Sequence, residues 1–478
     1  MNRKGNEIIL AGTLLGNAAA AVPGRLAVID PQKSLDYGAL DRSADAIARA
    51  LRGHGVVKGE RIAVLARNGV DFARLFFGSA RAGAALVTGD SNDAIVSGSG
   101  AISITADTLT LATDATIASS GALTLQPNAT DRTVGVSGGA GDFALSTAEI
   151  DLLTNGFSSI TIGRSDSTAL MTINADTFLD PITFRMGGAS GDITTVGALV
   201  TSNLAMTFTA GTGTGGTFTQ TAGGANTIAT GSGNITISAD VIVLNTSANT
   251  ITGTGTITLQ PATGTTTIGI GDSATGTFDL DANEIAALTN GFSSITIGAS
   301  GGSGAIDINA ITFTDPVTIR GGAITVTALQ AGANNITLTS DSTIDEDSDD
   351  TTVDITTSAT LSLTAEGAIG VSSGSGELDL TVGTLSATTN SGGIFLLESS
   401  ALIIGTGGVK TTAANAAIEI TLTAGDLTLD DDITAHGSGA VTLTLSAADA
   451  AVITSGADDD IASTSGAITI TADRLTLA

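Results

Sequence analysis

Residues Leu153–Gly163 read LTNGFSSITIG, and the same eleven letters return at Leu288–Gly298, 135 positions later. The correspondence spreads outward from this string. Gly98–Asp107 (GSGAISITAD) answers Gly231–Asp240 (GSGNITISAD), LTLQP from Leu123 answers ITLQP from Ile257, and DPITFR from Asp180 answers DPVTIR from Asp315. The last fourteen residues, SGAITITADRLTLA from Ser465, agree with Ser99–Ala112 at twelve positions. Self-similarity at a fixed long period is the mark of an architecture built by stacking. The repeat divides as 98–230, 231–365, a divergent stretch 366–464 and a truncated new copy 465–478, which reads as a piece of a longer array.

Within the repeats the apolar residues alternate. Ile102 and Ile104, Leu123 and Leu125, Ile235 and Ile237, Ile257 and Leu259, and Leu361 and Leu363 each flank a polar residue. Runs of four to seven such residues, separated by Gly, Ser, Asn and Asp, predict short strands with tight corners. Helical signals are confined to two capping boxes ahead of the repeated string, at Ser146–Glu149 and Asp281–Glu284. The inward positions look free of large rings, Gly is abundant at 62, and only six Pro interrupt pairing. The expected fold is mainly β: a parallel β-helix or β-solenoid tract over 89–478, preceded by a small truncated α/β segment over 1–88. At roughly 20–25 residues per coil and ~4.8 Å per strand spacing, the tract predicts a rod of roughly 80–90 Å.

Charge divides the chain at the same place. Residues 1–87 hold twelve Lys/Arg against seven Asp/Glu, whereas 88–478 hold six against forty. A sustained negative field of this kind repels nucleic acid and anionic lipid and favours divalent cations. The absence of Cys excludes disulfides and thiol chemistry. No run of eighteen apolar residues occurs, so no membrane-spanning helix is expected. Arg3 and Lys4 ahead of IILAGTLLGNAAAA loosely resemble a signal peptide, but Glu7 and Asn17 interrupt it and an amphipathic helix over Glu7–Ala21 fits better.

The first segment follows a β-α-β-α grammar. Strands are expected at Leu26–Ile29 and Arg61–Leu65, and helices at Ala39–Leu51 and Val70–Arg81, closed by Gly53 and Gly83. The strings PGRLAVID, SLDYGALDRSADAIARALRGHGVVKGERIAVL and ARNGVDFARLFFGSARAGAALV resemble the opening of the adenylate-forming superfamily of acyl-CoA synthetases and AMP ligases. The resemblance implies ATP-dependent activation of a carboxylate and a cytoplasmic setting. That family's chemistry needs a Pro-Lys-Gly phosphate loop, an aromatic-Gly-x-Thr-Glu segment, a ribose-binding Asp and a late Lys. After Lys58 the only lysine is Lys410, in GTGGVKTT, which has no matching context. No catalytic or cofactor-binding residue is therefore assigned, and His54 reads as a solvated loop residue.

The repeat strings SGAISITADTLTLA, LTNGFSSITIG and GTGTITLQP resemble repeats of large secreted adhesins of the filamentous-haemagglutinin type. That resemblance implies a β-helix presented outside the cell. Its partners would be host or matrix glycans or protein surfaces, together with neighbouring repeats of a longer array.

Several motifs have the residue types of binding sites. Gly211-x-Gly213-x-x-Gly216 has dinucleotide spacing but no following helix, and Gly405–Thr411 misses the glycine before the lysine of a phosphate loop. The acidic run Asp341, Asp345, Glu346, Asp347, Asp349, Asp350 has the oxygen chemistry of a Ca²⁺ site but lacks the turn Gly and terminal Glu of an EF-hand. Asp345, Asp347, Asp349 and Asp350 stand as weak metal candidates on a loop whose default state is solvated. Gly156, Phe157, Gly291 and Phe292 are assigned to the repeat's structure, the two rings as core plugs.

The expectation is a non-enzymatic structural or adhesive segment of a surface-exposed bacterial protein, without nucleic-acid partner, membrane span or required cofactor beyond weak Ca²⁺. Two other readings stay open: a truncated acyl-CoA synthetase-like protein or chimeric gene product, its junction near Thr88–Asn92, and a Ca²⁺-binding surface module.

Overall fold

The computed structural model describes residues 11–30, 33–57, 61–64, 69–82, 85–88, 94–112, 115–211, 215–348, 350–372, 376–413, 415–456 and 459–477. The chain is mainly β, with 42% strand against 11% helix, and its sheets are built almost wholly of parallel strands. It separates into two units: residues 1–99, 111–119 and 151–154, and residues 100–110, 120–150 and 155–478.

In the first unit, among the described residues, three helices, α1 (Ala11–Ala21), α2 (Tyr37–Gly53) and α3 (Val70–Ala82), accompany three two-stranded sheets, one of them the parallel pair Ala94–Val96 and Thr116–Ala118. Leu26–Ile29 pairs antiparallel with Ser34–Asp36, and Arg61–Val64 pairs parallel with Ala85–Thr88. The strand beginning at Ser34 was not legible in the periodicity, because three residues are too few to show alternation. Helix α2 starts where Asp36 accepts the Ala39 N–H at 2.6 Å, which satisfies one of the four unpaired first-turn donors. Leu15, Leu40 and Ala44 are buried together against Ala27, Val28, Leu35, Tyr37, Ala73 and Phe77. Arg81 on α3 joins Asp41 and Asp45 of α2 as ion pairs. The helix expected from Glu7 and the strand expected to reach Leu65 fall partly outside the described residues. His54 is exposed and follows the last turn of α2.

The second unit is a succession of parallel ladders. One passes through Ile102–Thr105, Ala122–Gln126, Ser159–Arg164, Ile182–Met186, Met206–Thr209, Ile235–Ser238 and Thr256–Gln260. It continues through Ser294–Ile297, Val317–Gly321, Ile336–Ser340 and Ile355–Ala365. Along most of these strands alternate side chains are buried, as in Ile182, Phe184 and Met186 on one face with Thr183 and Arg185 on the other. The ladders are open.

Both copies of the repeat step alike. Ile160 pairs with Ile182 and Ile295 with Val317, each 22 residues on. Leu123 pairs with Ile160 and Ile257 with Ile295, longer steps of 37 and 38 residues. The extra length holds a detour containing the two short helices α4 (Thr147–Ile150) and α5 (Ala282–Ala286). The step of roughly 20–25 residues expected from sequence is therefore exceeded most at the segment ahead of the repeated string, and the ladder also takes a 29-residue step from Met206 to Ile235 and a 19-residue step from Val317 to Ile336.

The expectation of a core without rings is corrected. Phe143, Phe184, Phe208, Phe218, Phe278 and Phe313 are fully buried. Phe184 and Phe208 stack at 5.3 Å between centroids, flanked by Phe178 at 5.4 Å and Phe218 at 5.0 Å. Parallel pairing sets Phe184 directly against Phe208 in the ladder, so rings fit if they repeat in register. Among the described residues no helix is long and apolar enough to cross a membrane.

Candidate functional site

The repeated string builds a clasp. Gly156 and Gly291 adopt φ of 129° and 131°, a region that side-chain-bearing residues rarely enter. Each then donates its N–H to a buried carboxylate of the following strand segment, Gly156 to Asp180 and Gly291 to Asp315, both at 2.8 Å. Asp180 and Asp315 are each 4% exposed and open the matching DPITFR and DPVTIR strings. Phe157 and Phe292 follow the glycines and are buried at 3% and 2% exposure.

The detours ahead of the clasps are fixed by their caps. Asp281 accepts the Glu284 N–H at 2.8 Å while Glu284 accepts the Asp281 N–H at 3.1 Å. Ser146 and Glu149 repeat the exchange in the first copy. Glu284 also accepts the Leu244 N–H at 2.8 Å. Burial pushes its carboxyl up to about 7, against the opposing pull of these two backbone donors.

The acidic run on 341–350 divides by environment. Asp345 lies half-buried on the strand Ile344–Glu346, Asp347 and Asp350 are exposed, and Asp349 lies outside the described residues. Asp350 accepts the Thr352 N–H at 2.5 Å and the Ser348 hydroxyl at 3.0 Å, and these bonds hold its carboxyl below the ordinary range. The four sequence candidates are not brought together as one ligand set among the described residues.

Three other carboxylates are. Glu346, Asp354 and Asp379 are 7%, 5% and 2% exposed, and each offers an oxygen within 4.8 Å of the other two. Glu346 ends one strand, Asp354 stands just before the strand Ile355–Ala365, and Asp379 lies on the neighbouring strand Leu378–Thr389. The backbone locks the last two together: Asp354 N–H donates to the Asp379 carbonyl at 2.8 Å, and Asp379 N–H to Asp354 Oδ2 at 2.9 Å. Both oxygens of the Asp379 carboxylate lack a hydrogen-bond partner. Burial first, then the negative charges of Asp379, Asp350 and Asp345, push Asp354 up to about 7. Asp379 rises to about 6, from burial and then Asp350 and Glu377. Sequence reading singled out the neighbouring run because it was contiguous. Asp354 and Asp379 are 25 positions apart, and only the ladder step reveals their contact.

Gly405–Thr411 lies within the strand Leu402–Thr411, where Gly407 and Gly408 have φ of 105° and 65° and Lys410 is exposed. Gly213 of the other motif lies outside the described residues. A shallow open groove of about 420 Å³ is lined by Thr267, Thr275, Asp307, Thr325 and Asp347, but Asp307 is already engaged by the Thr275 N–H and hydroxyl.

Residues 15–94 match the model of the AMP-binding enzyme family. Over 67 residues the chain is 42% identical to a 4-hydroxybenzoate-CoA/benzoate-CoA ligase of Rhodopseudomonas palustris, covering 14% of this chain and 12% of that one. Over 77 residues it is 42% identical to a salicyl-AMP ligase/salicyl-S-ArCP synthetase of Mycobacterium tuberculosis, covering 15% and 14%. The chain thus spans about an eighth of the length of the curated relatives it matches. No solved structure matches it.

Proposed function

We propose that residues 15–94 are a truncated acyl-CoA synthetase-like segment that forms no acyl-adenylate, joined to a β tract that works by shape. The observation carrying the first half is the extent of the match, which stops at residue 94. The sequence beyond it supplies strand repeats where the family places its Pro-Lys-Gly loop and late lysine. A segment of this size holds no triphosphate clamp, so it cannot stabilise the charge of pyrophosphate as it leaves. The names of the relatives point to benzoate, 4-hydroxybenzoate and salicylate as the carboxylates to try. Incubated with ATP, Mg²⁺ and each acid, the full chain is expected to release no pyrophosphate above an ATP-only control. Acid-dependent release would overturn this reading.

The in-register agreement of the two clasps favours a second reading, for the β tract. We read the tract as a β-solenoid that serves as a structural and adhesive segment at a bacterial cell surface. Stacked layers of this kind gain stability from each added neighbour and offer a long repeated face to glycans or proteins. Its six basic against forty acidic residues oppose nucleic acid and anionic membrane as partners. Retention of the chain on immobilised matrix proteins or glycans supports this reading, and failure on all of them sinks it. The two halves belong to different compartments by resemblance. A sequencing read across the junction of the source DNA distinguishes a natural fusion from a chimeric gene product.

A further inference from the structure

We propose that Glu346, Asp354 and Asp379 form a buried binding site for one divalent cation, with Ca²⁺ preferred. Three carboxylates, none more than 7% exposed, lie within 4.8 Å of one another. Ionised together in a low-dielectric interior they repel strongly, and the neighbouring charges that act on Asp354 and Asp379 are Asp345, Asp350 and Glu377, all of the same sign. Burial of such a set is sustained when a positive ion sits among the oxygens.

The Asp379 carboxylate points the same way. It is 98% buried by its 2% exposure, it lies within reach of the other two carboxylates, and neither of its oxygens has a hydrogen-bond partner. Buried carboxylate oxygens are otherwise almost always satisfied, and leaving one unmade costs about 1–3 kcal/mol or more. Asp180 and Asp240 show the usual solution in this same chain: each is buried and accepts from backbone or hydroxyl donors. Asp379 is built differently, held in place through its backbone with its oxygens turned to other carboxylates.

The choice of ion follows from the oxygens. Carboxylates select hard cations. Ca²⁺ binds oxygen at about 2.3–2.6 Å, so ligands on opposite sides stand about 4.6–5.2 Å apart, and it accepts six to eight oxygens in flexible geometry. Three bidentate carboxylates reach that number. Mg²⁺ draws its ligands nearer and keeps several waters, which suits an open site better than one this buried. The cation would also tie the strand Ile344–Glu346 to the segment opening at Asp354 across the acidic loop, and both to the next strand.

The test uses the full chain, stripped with a chelator and titrated with CaCl₂ in a calorimeter, with MgCl₂ as comparison. One Ca²⁺ per chain is expected at micromolar to submillimolar concentration, with Mg²⁺ at least tenfold weaker. Asp379→Asn and Asp354→Asn are each expected to weaken Ca²⁺ binding at least tenfold, with Asp347→Asn within twofold of the parent. Hydrogen exchange on the parent chain gives a readout independent of how the variants fold: Ca²⁺ is expected to slow exchange at 344–356 and 378–381. No binding at millimolar Ca²⁺ overturns the proposal. So does protection confined to other acidic loops, or loss of binding in the Asp347 variant with retention in the Asp379 variant.

Discussion

At the scale of single residues, the account rests on glycine and aspartate placed in identical relations in two copies. Gly156 and Gly291 were legible as candidates because they sit in a string repeated letter for letter. Their partners were not: Asp180 and Asp315 lie 24 positions further on, and nothing in a linear reading ties them to the glycines. Replacing Gly156 by Ala puts a side chain into a backbone region that costs about 1–3 kcal/mol. Asp180→Ala removes the buried carboxylate that accepts the Gly156 N–H, a loss of about 1.5–3 kcal/mol. Both variants are expected to raise hydrogen-exchange rates in the strand Ser159–Arg164 and leave the second copy, Ser294–Ile297, unchanged. Equal loosening of both copies would contradict the local clasp.

Elements show where pattern reading works and where it stops. Alternation locates strands, because burial follows every second residue, and the capping boxes were readable because both partners lie within one turn. The Phe column was missed since its members, Phe178, Phe184, Phe208 and Phe218, are scattered through the sequence and meet only by ladder register. Phe208→Ala is expected to cost about 3–5 kcal/mol, since it deletes a fully buried ring between two others. Chemical denaturation followed by exchange at Met206–Thr209 measures it, and a cost below about 1 kcal/mol would refute ring packing as a stabilising element. The α5 cap carries a pH signature. Glu284 has a folded pKa of about 7 against an ordinary 4.5, so the folded form binds the proton more tightly. Its contribution is complete below about pH 4.5 and is lost as pH rises through about 7, with a ceiling of roughly 3 kcal/mol. Exchange at Ala282–Ala287 is expected to quicken between pH 5 and 8 beyond its intrinsic base catalysis, and Glu284→Gln to flatten that excess. A pH-independent excess would contradict the burial of this carboxyl.

For the whole molecule, the sequence announced two unlike parts, and the parallel ladders and the family match each belong to one of them. The repeat period was visible; the 37- and 38-residue detours were not, because a short helix hidden among polar residues has no periodicity of its own. The three-carboxylate cluster was illegible for the same reason as the clasps, being assembled across ladder steps. The claim on which all of this depends is that the two repeats stack as parallel strands in one register. The chain has no native Cys, so paired cysteines report on it cleanly. Thr161 stands opposite Thr183, and Thr296 opposite Thr318, on the outward face. Adjacent strands are ~4.8 Å apart and next-but-one strands ~9.6 Å. With a short bis-alkylating thiol reagent, Thr161→Cys/Thr183→Cys and Thr296→Cys/Thr318→Cys are predicted to cross-link within the chain at similar rates. Thr161→Cys/Thr207→Cys, two strands apart, is predicted not to. Efficient cross-linking of the distant pair, or failure of both adjacent pairs, would contradict the stacked register.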